Sequence, residues 1–197
     1  LMLSLNVRWY LAAFGAIAYA FSSYFFIIIA AGHIWKFITL AYIPPTIAGI
    51  VLAYRGKYLL GGALAALFGA LQIMSNHVQM SYYFLFVILA VVIAYAVEHY
   101  RSHTLPRFFK ATGVLVVAAL LAVGANASNL YHTYKYSKES MRGGHTELTS
   151  QDNSQENTGS GLDKDYITKW SYGKMETLTL LIPDSKGGAS GLLSENE

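Results

Sequence analysis

The stretch AAGHIWKFITLAYIPPTIAG, residues 30–49, places a histidine, a lysine and a proline pair inside one of the most apolar regions of the chain. The whole chain is 54% hydrophobic, with a mean hydropathy of +0.38. That hydropathy is too high for an ordinary soluble domain. The stretch therefore indicates a membrane segment, and its polar residues need a reason because ionisable groups at membrane depth are unfavourable.

The distribution of acidic residues divides the chain into two regions. Glu98 is the single acid between Leu1 and Ser128, and the other ten of the eleven acids follow Ser128. We therefore predict an all-α integral membrane region at 1–128 and a polar extracytoplasmic segment at 129–197, partly flexible and with little regular structure. The net charge of +3 does not indicate a nucleic-acid partner, because the basic residues lie at the ends of apolar spans.

Five apolar segments are long enough, or nearly so, to cross a bilayer as helices, which takes roughly 20 residues each. The predicted spans are 9–31, 34–54, 58–75, 79–97 and 108–128. Pro44 and Pro45 fall within the second span. Because proline lacks an N–H and disfavours helix at the residue before it, we expect that span to bend or break there.

The basic residues of the short loops predict the orientation of the spans. If five spans alternate, one side receives Arg8, Arg55, Lys57, Arg101, Arg107 and Lys110. The positive-inside rule makes that side cytoplasmic. The opposite side receives the turn at 32–36, the turn at 76–79 and the polar tail, and Lys36 is the exception to the rule among the short loops.

The two outer turns carry the candidate site, formed by His33, Lys36, Asn76, His77 and Gln79. A lysine acts as a point charge for phosphate, and histidine or asparagine can donate hydrogen bonds to phosphate oxygens. A half-helix that restarts at the proline pair and runs inward would point its N-terminus at the same face, which favours an anion. The pattern predicts binding of an anionic group such as a lipid phosphate.

Simpler interpretations of the same residues stay open. Lys36 and His33 could extend into the outer headgroups, and the Asn-His-x-Gln turn could satisfy only its own helix ends. The outer histidines lack nearby carboxylates and the chain has no cysteine, so the spacing supports no metal site. We find no cofactor-binding motif and no serine nucleophile elbow.

Four stretches of the chain together resemble the YfhO family of bacterial multi-pass membrane proteins: AFSSYFFIIIAAGHIWK, QIMSNHVQMSYYF, NLYHTYKYSKESMRGGHTEL and YITKWSYGKMETLTLLIP. The resemblance implies a piece of a longer polypeptide in the bacterial cytoplasmic membrane. It also implies a relation to GT-C glycosyltransferases, which take sugars from polyprenyl phosphates. The five site residues would then line the donor pocket. GT-C enzymes carry their catalytic acid in a first outer loop, which is not found here, so we expect this chain alone to be inactive.

Three functions remain in view. The leading prediction is part of a glycosyltransferase that modifies envelope polymers or lipids at the outer face, using a polyprenyl-phosphate-linked sugar. The alternatives are a transporter or flippase for an anionic lipid, which could use the same broken helix and lysine, and a structural membrane protein. The expected partners are membrane lipids, the lipid-linked donor and the remainder of the same polypeptide.

Overall fold

The computed structural model describes residues 1–139 together with Leu178 and Ile182. The chain separates into two compact units, Leu1–Thr133 and Tyr134–Glu197. Apart from Leu178 and Ile182, the predicted flexible tail beyond Glu139 lies outside the described residues. The described part is helical and contains no strand.

A short 3₁₀ turn at Leu3–Leu5 precedes eight helices. They are α1 Trp9–Ala20, α2 Ser23–Ala30, α3 Ile34–Ala41, α4 Ile43–Tyr54, α5 Tyr58–Met74, α6 Val78–Arg101, α7 Leu105–Ala125 and α8 Ala127–Glu139. Counting α1 with α2 and α3 with α4, four apolar helical lengths can cross a membrane: Trp9–Ala30, Ile34–Tyr54, Val78–Arg101 and Leu105–Ala125. Over the described residues the structure confirms an all-α architecture with membrane-length helices, and α5 is a shorter apolar helix of 17 residues.

The boundary after α7 corrects the prediction for the tail. The fifth predicted span, 108–128, runs too far, because α7 ends at Ala125 and α8 begins at Ala127. Asn126 separates the two helices, and its side-chain Nδ2 donates to the carbonyls of Ala122 at 2.9 Å and Ala70 at 3.0 Å. The predicted lack of regular structure from residue 129 is therefore wrong as far as Glu139, where a stretch free of glycine and proline continues as helix.

The first two membrane-length segments are both interrupted. α3 ends at Ala41 and α4 starts at Ile43 with the proline pair in its first turn, so the predicted break is confirmed. In an unbroken helix the Leu40 carbonyl would accept from the nitrogen of Pro44, which has no hydrogen. Here it accepts from the Tyr19 hydroxyl at 2.9 Å instead. This hydrogen bond joins the two interrupted segments, because Tyr19 lies beside the break between α1 and α2.

The break between α1 and α2 has no proline and was not predicted. Ser22 leaves the helical conformation, with a φ of −64° and a ψ of 139°, and α2 starts at Ser23. The two breaks lie at similar distances along the chain from the turn at Gly32, whose φ is +78°. The α2–α3 hairpin is thus bounded by two helix breaks, one after α1 and one before α4, and the two breaks lie at a similar depth.

The closest helix contact joins α4 and α5 through glycines. A Cβ on Gly49 would lie 2.5 Å from the nitrogen of Ala65 and 2.8 Å from the carbonyl oxygen of Gly61. A Cβ on Gly61 would in turn meet the backbone of Gly49 and Ala53. Backbone contact at this range is possible only without side chains, as in small-residue packing between membrane helices.

Three helices form the main core, and their contacts define two ends. Ile50 and Tyr54 of α4 pack with Ala65 of α5 and with Ala111 and Ala118 of α7. The first end, called the basic end below, holds the α4–α5 and α6–α7 turns. There the Tyr54 ring stacks on Phe108 at 5.4 Å between centroids, and an Arg55 Nη1 donates to the Ser4 carbonyl at 2.7 Å. The basic loops therefore meet at one end, as the alternating spans predict.

We expect Gly49→Ala to destabilise the bundle, because the added methyl group meets backbone that no rotamer change can move. Overpacking of this kind lowers the free energy of unfolding by about 1–3 kcal/mol. Thermal unfolding in detergent, followed by circular dichroism, measures the change. The matched control is Gly124→Ala, where a Cβ meets nothing within 4 Å; a loss of stability as large as that of Gly49→Ala would contradict the close-packing interpretation.

Candidate functional site

Two buried hydroxyl groups join the last turn of α3 to the α5–α6 turn. Thr39 of α3 is fully buried, and its Oγ1 lies 2.5 Å from the Oγ of Ser75. Ser75 follows α5 directly and precedes Asn76. The α2–α3 turn and the α5–α6 turn therefore lie at the same end of the bundle, opposite the basic end.

This contact is part of a longer chain of hydrogen bonds, which we call the polar network. It consists of Thr39, Gln72, Ser75 and Ser81. The Ser75 hydroxyl donates to the Gln72 carbonyl at 2.6 Å, and the Gln72 Nε2 donates to the Ser81 Oγ at 3.1 Å. The network links α3, α5 and α6, and it closes the end of the bundle with polar groups that all have partners in the described structure.

The hydroxyl protons of the network are fewer than its contacts. Thr39 Oγ1 lies 2.8 Å from the Trp35 carbonyl, in addition to its contact with Ser75. Ser75 in turn reaches the Gln72 carbonyl. Two protons thus serve three oxygen–oxygen contacts, since each hydroxyl has one hydrogen. The two hydroxyls can exchange donor and acceptor roles without any movement of the helices.

The first pair of predicted site residues lies on the α2–α3 hairpin. His33 is exposed and precedes the first residue of α3, and its side chain makes no capping hydrogen bond. Lys36 is half-buried, and its Nζ lies 5.5 Å from the centroid of the Tyr24 ring. Lys36 lies one helical turn before Thr39, which places the two on one face of α3. A cation thus lies beside the polar network.

The second group surrounds the α5–α6 turn. Asn76 adopts a left-handed conformation, with a φ of 55°, and its Oδ1 accepts from the Thr133 hydroxyl at 3.1 Å. His77 caps α6, since its Nδ1 accepts from the Met80 N–H at 3.4 Å. In the neutral ring the proton then lies on Nε2, which is a donor. Gln79 is exposed, and its Nε2 donates to the Tyr83 hydroxyl at 3.2 Å.

The structure places α3 against the α5–α6 turn, and it does so through residues other than the predicted ones. Within the described residues no hydrogen bond joins the pair His33 and Lys36 to the group at 76–79. His77 satisfies its own helix end, as the simpler interpretation of that turn holds. Its Nε2, the His33 ring and the Lys36 ammonium remain available to a ligand at this end of the bundle.

An apolar cavity, open to the surface of the bundle along α6 and α7, reaches the polar network. It has a volume of about 550 Å³ and lies among α4, α5, α6 and α7. Gln72 and Ser81 line it at the network end, and Tyr54 and Thr112 line it toward the basic end. Between them the lining is almost wholly aliphatic and aromatic. The cavity can take a long hydrocarbon chain, and a polar group of the same molecule would meet the network.

The polar network was missed in the sequence because its members are uncharged. Gln72 and Ser75 are three residues apart, and so are Lys36 and Thr39. Residues at this spacing lie on the same face of a helix. A polar residue in an apolar helix that recurs at this spacing could have indicated a buried face. Periodicity alone, however, does not tell which other helix that face meets.

Comparisons with protein-family models, with curated proteins and with solved structures gave no match. The resemblance to the YfhO family therefore stays a prediction. Within the described residues there is no group of three or more histidine, cysteine, aspartate or glutamate side chains placed to hold a metal ion.

We expect Thr39→Val to loosen the junction between α3 and the α5–α6 turn, because it removes a fully buried hydroxyl while keeping the volume similar. Hydrogen bonds between membrane helices contribute about 0.6 kcal/mol on average. Amide hydrogen exchange at 75–79, followed by mass spectrometry, should become about two- to threefold faster.

The matched control for this variant is Thr112→Val, which removes a hydroxyl contact to Tyr54 at the other end of the bundle. It should leave exchange at 75–79 unchanged. Equal exchange in Thr39→Val and the wild type would contradict a role of Thr39 in holding the α5–α6 turn to α3.

Proposed function

We propose that this chain forms the donor-binding part of a multi-pass membrane glycosyltransferase. The enzyme would take sugar from a polyprenyl-phosphate carrier and modify envelope polymers or lipids at the outer face of the bacterial cytoplasmic membrane. The observation that supports this most directly is the apolar cavity that ends at Gln72 and Ser81 of the polar network, to which Thr39 of α3 also belongs, one helical turn after Lys36. One molecule with a long apolar chain and an anionic head fits both features.

The carrier chain would lie in the cavity. On α6 the lining runs from Val78 to Val92, a rise of about 21 Å at about 1.5 Å per residue. That is two thirds of the roughly 30 Å hydrocarbon thickness. The α6 residues Leu85 and Ile88 and the α7 residues Leu115 and Ala119 face the same space. A mostly apolar lining of this length suits an isoprenoid chain, because it offers dispersion contacts along most of the chain.

The phosphate would lie at the Lys36 side of the network. The ammonium offers three donors and lies over the Tyr24 ring, 5.5 Å from its centroid. His33 and the Nε2 of His77 can add hydrogen bonds, and Asn76 and Gln79 can do so by exchanging their present partners. The single acid of residues 1–128, Glu98, lies on α6 near the basic end. Lys36 therefore faces no competing carboxylate from that region.

The same assignment leaves the catalytic base outside residues 1–128. Sugar transfer with inversion needs a carboxylate that takes the proton of the acceptor hydroxyl while cations stabilise the leaving phosphate. Lys36 and the histidines supply the second part of this chemistry. The base would come from another part of the polypeptide, as the resemblance to the YfhO family implies.

The proposal includes five membrane passes, with α5 as the third. At 17 residues α5 rises about 26 Å, so the bilayer would thin slightly around it. Its first residues adjoin the basic turn at Arg55, and its last residue adjoins Ser75 of the network. Contacts at both ends support a full crossing. The positive-inside rule then gives the network end, and α8 after it, an extracytoplasmic position.

A transporter or flippase for an anionic lipid is the second candidate, and the paired helix breaks favour it. α1–α2 and α3–α4 are interrupted at similar depth, and the Tyr19 hydroxyl connects the two interruptions. Broken helices in pairs are a feature of transporters whose substrate site lies within the membrane. The cavity and the lysine serve both functions, so the two differ in whether sugar is transferred.

We expect Lys36→Ala to reduce retention of polyprenyl phosphate by about tenfold, because a charge-assisted hydrogen bond contributes about 1.5–3 kcal/mol. The intact protein is purified in mild detergent, and the bound polyprenyl lipid is quantified by native mass spectrometry. Lys57→Ala is the control, since Lys57 lies in the turn at the basic end. Equal retention in the wild type and Lys36→Ala would reject the phosphate site.

We expect Ala119→Phe to exclude the carrier chain, because the added ring enters the cavity that Ala119 lines. Retention should fall as in Lys36→Ala, whereas the control Leu120→Phe changes a residue that does not line the cavity and should bind normally. Retained lipid in Ala119→Phe would contradict the placement of the carrier chain.

Sugar transfer to an added acceptor by the wild type supports the enzyme, and lipid translocation without transfer supports the flippase.

A further inference from the structure

A second groove lies on the outer surface of the bundle, between α5 and α7. It has a volume of about 590 Å³ and is lined by residues of these two helices alone, whereas the cavity described above also involves α4 and α6. Its walls are apolar, with Ala66 and Val117 among them. Because α5 and α7 both belong to the membrane region, the mouth of this groove faces lipid.

Glycine residues make the groove deep. Gly62 and Gly113 both line it, and a Cβ on Gly113 would meet no atom within 4 Å. On α7 the groove runs from Lys110 to Leu121, a rise of about 16 Å at about 1.5 Å per residue. Half of a hydrocarbon core of roughly 30 Å is about 15 Å. The groove thus has the length of one leaflet and follows the direction of an acyl chain.

One end of the groove carries a cation. Lys110 lines it there, and its Nζ lies 4.8 Å from the centroid of the Tyr58 ring, on the facing helix. The described residues contain no ion pair between Lys110 and Glu98, the one acid of residues 1–128. Arg107 and Lys57 are exposed in the same region and add positive charge. A cation held by an aromatic ring, with no carboxylate from this region, is complementary to a phosphate group.

We propose that the α5–α7 groove binds an anionic phospholipid, with one acyl chain along Gly113 and the phosphate on Lys110. The apolar walls accept the chain, and the basic end selects the charge of the headgroup, as basic pockets on the cytoplasmic side of membrane helices do. The long stem of lysine lets its ammonium reach the headgroup level while its methylenes stay among apolar neighbours. This site is independent of the proposed donor site, which lies at the other end of the bundle.

The role of Lys110 in selecting the headgroup charge is tested with Lys110→Gln. The intact protein is delipidated in mild detergent and titrated with lipids of identical chains. The probes are dioleoyl-phosphatidylglycerol and dioleoyl-phosphatidylcholine, and native mass spectrometry counts the first bound lipid. The wild type should prefer the phosphatidylglycerol, and Lys110→Gln should lose about fivefold of that preference. The control Arg101→Gln removes an exposed charge that does not line the groove, and it should keep the preference.

The placement of the acyl chain is tested with Gly113→Leu. A Cβ at this position meets no atom within 4 Å, so the added side chain extends into the groove. Leucine is a better helix former than glycine, so folding is not endangered. Occupancy by both lipids should fall at least fivefold. The control is Gly124→Leu, which also adds a side chain to an open position of α7 but lies outside the groove.

Three outcomes would overturn the site. They are wild-type lipid preference in Lys110→Gln, wild-type occupancy in Gly113→Leu, and an equal loss of preference in Arg101→Gln, which would assign the effect to the general basic surface. Lys36→Ala should leave phosphatidylglycerol binding unchanged. A failure of the donor site would therefore not affect this result, and the converse also holds.

Discussion

The constraint on which this structure depends is that hydrocarbon offers no hydrogen-bond partner to an exposed backbone group. The chain interrupts two of its membrane helices, so each interruption needs a substitute partner from the protein. The Tyr19 hydroxyl supplies it for Leu40, whose usual partner in the helix would be the nitrogen of a proline. Two breaks that would each be unfavourable alone are thus joined by one side chain.

Tight packing on one side of the bundle leaves space on the others. Gly49 and Gly61 bring α4 and α5 to backbone contact, and the alanines of α7 complete a core of small residues. α6 carries large side chains, of which Phe84 alone is buried. Large residues cannot approach a surface as closely as glycine does, so α6 stands away from α5 and α7 over part of its length. The apolar cavity lies in that space.

The two ends of the bundle differ in chemistry, and this difference organises the proposed sites. One end gathers arginine and lysine around stacked aromatic rings, and its groove holds Lys110 beside Tyr58. The other end gathers neutral hydroxyl and amide groups, with Lys36 as its cation. A lipid headgroup can therefore meet a cation at either end, in a charged environment at one and in a polar environment at the other.

Much of the helical architecture could be predicted because hydrophobicity and length act locally. The apolar runs, the break at Pro44 and the grouping of the basic loops all follow from residues a few positions apart. The break at Ser22 could not be predicted in this way, because serine is tolerated in helices and the competing conformation depends on neighbours. The helix after Asn126 was missed for a related reason: a polar composition indicates exposure to water, and it does not exclude a helix.

The candidate site shows the same division. The sequence by itself determined that polar residues interrupt the apolar segments in two places, at 32–36 and at 76–79. Only the tertiary structure decided that Thr39 of α3 contacts Ser75 at the α5–α6 turn, that Gln72 and Ser81 line one end of the cavity, and that Lys36 lies over Tyr24. These contacts depend on which faces of distant helices meet. The glycines of α4 and α5 set that arrangement through close packing, and no local pattern contains it.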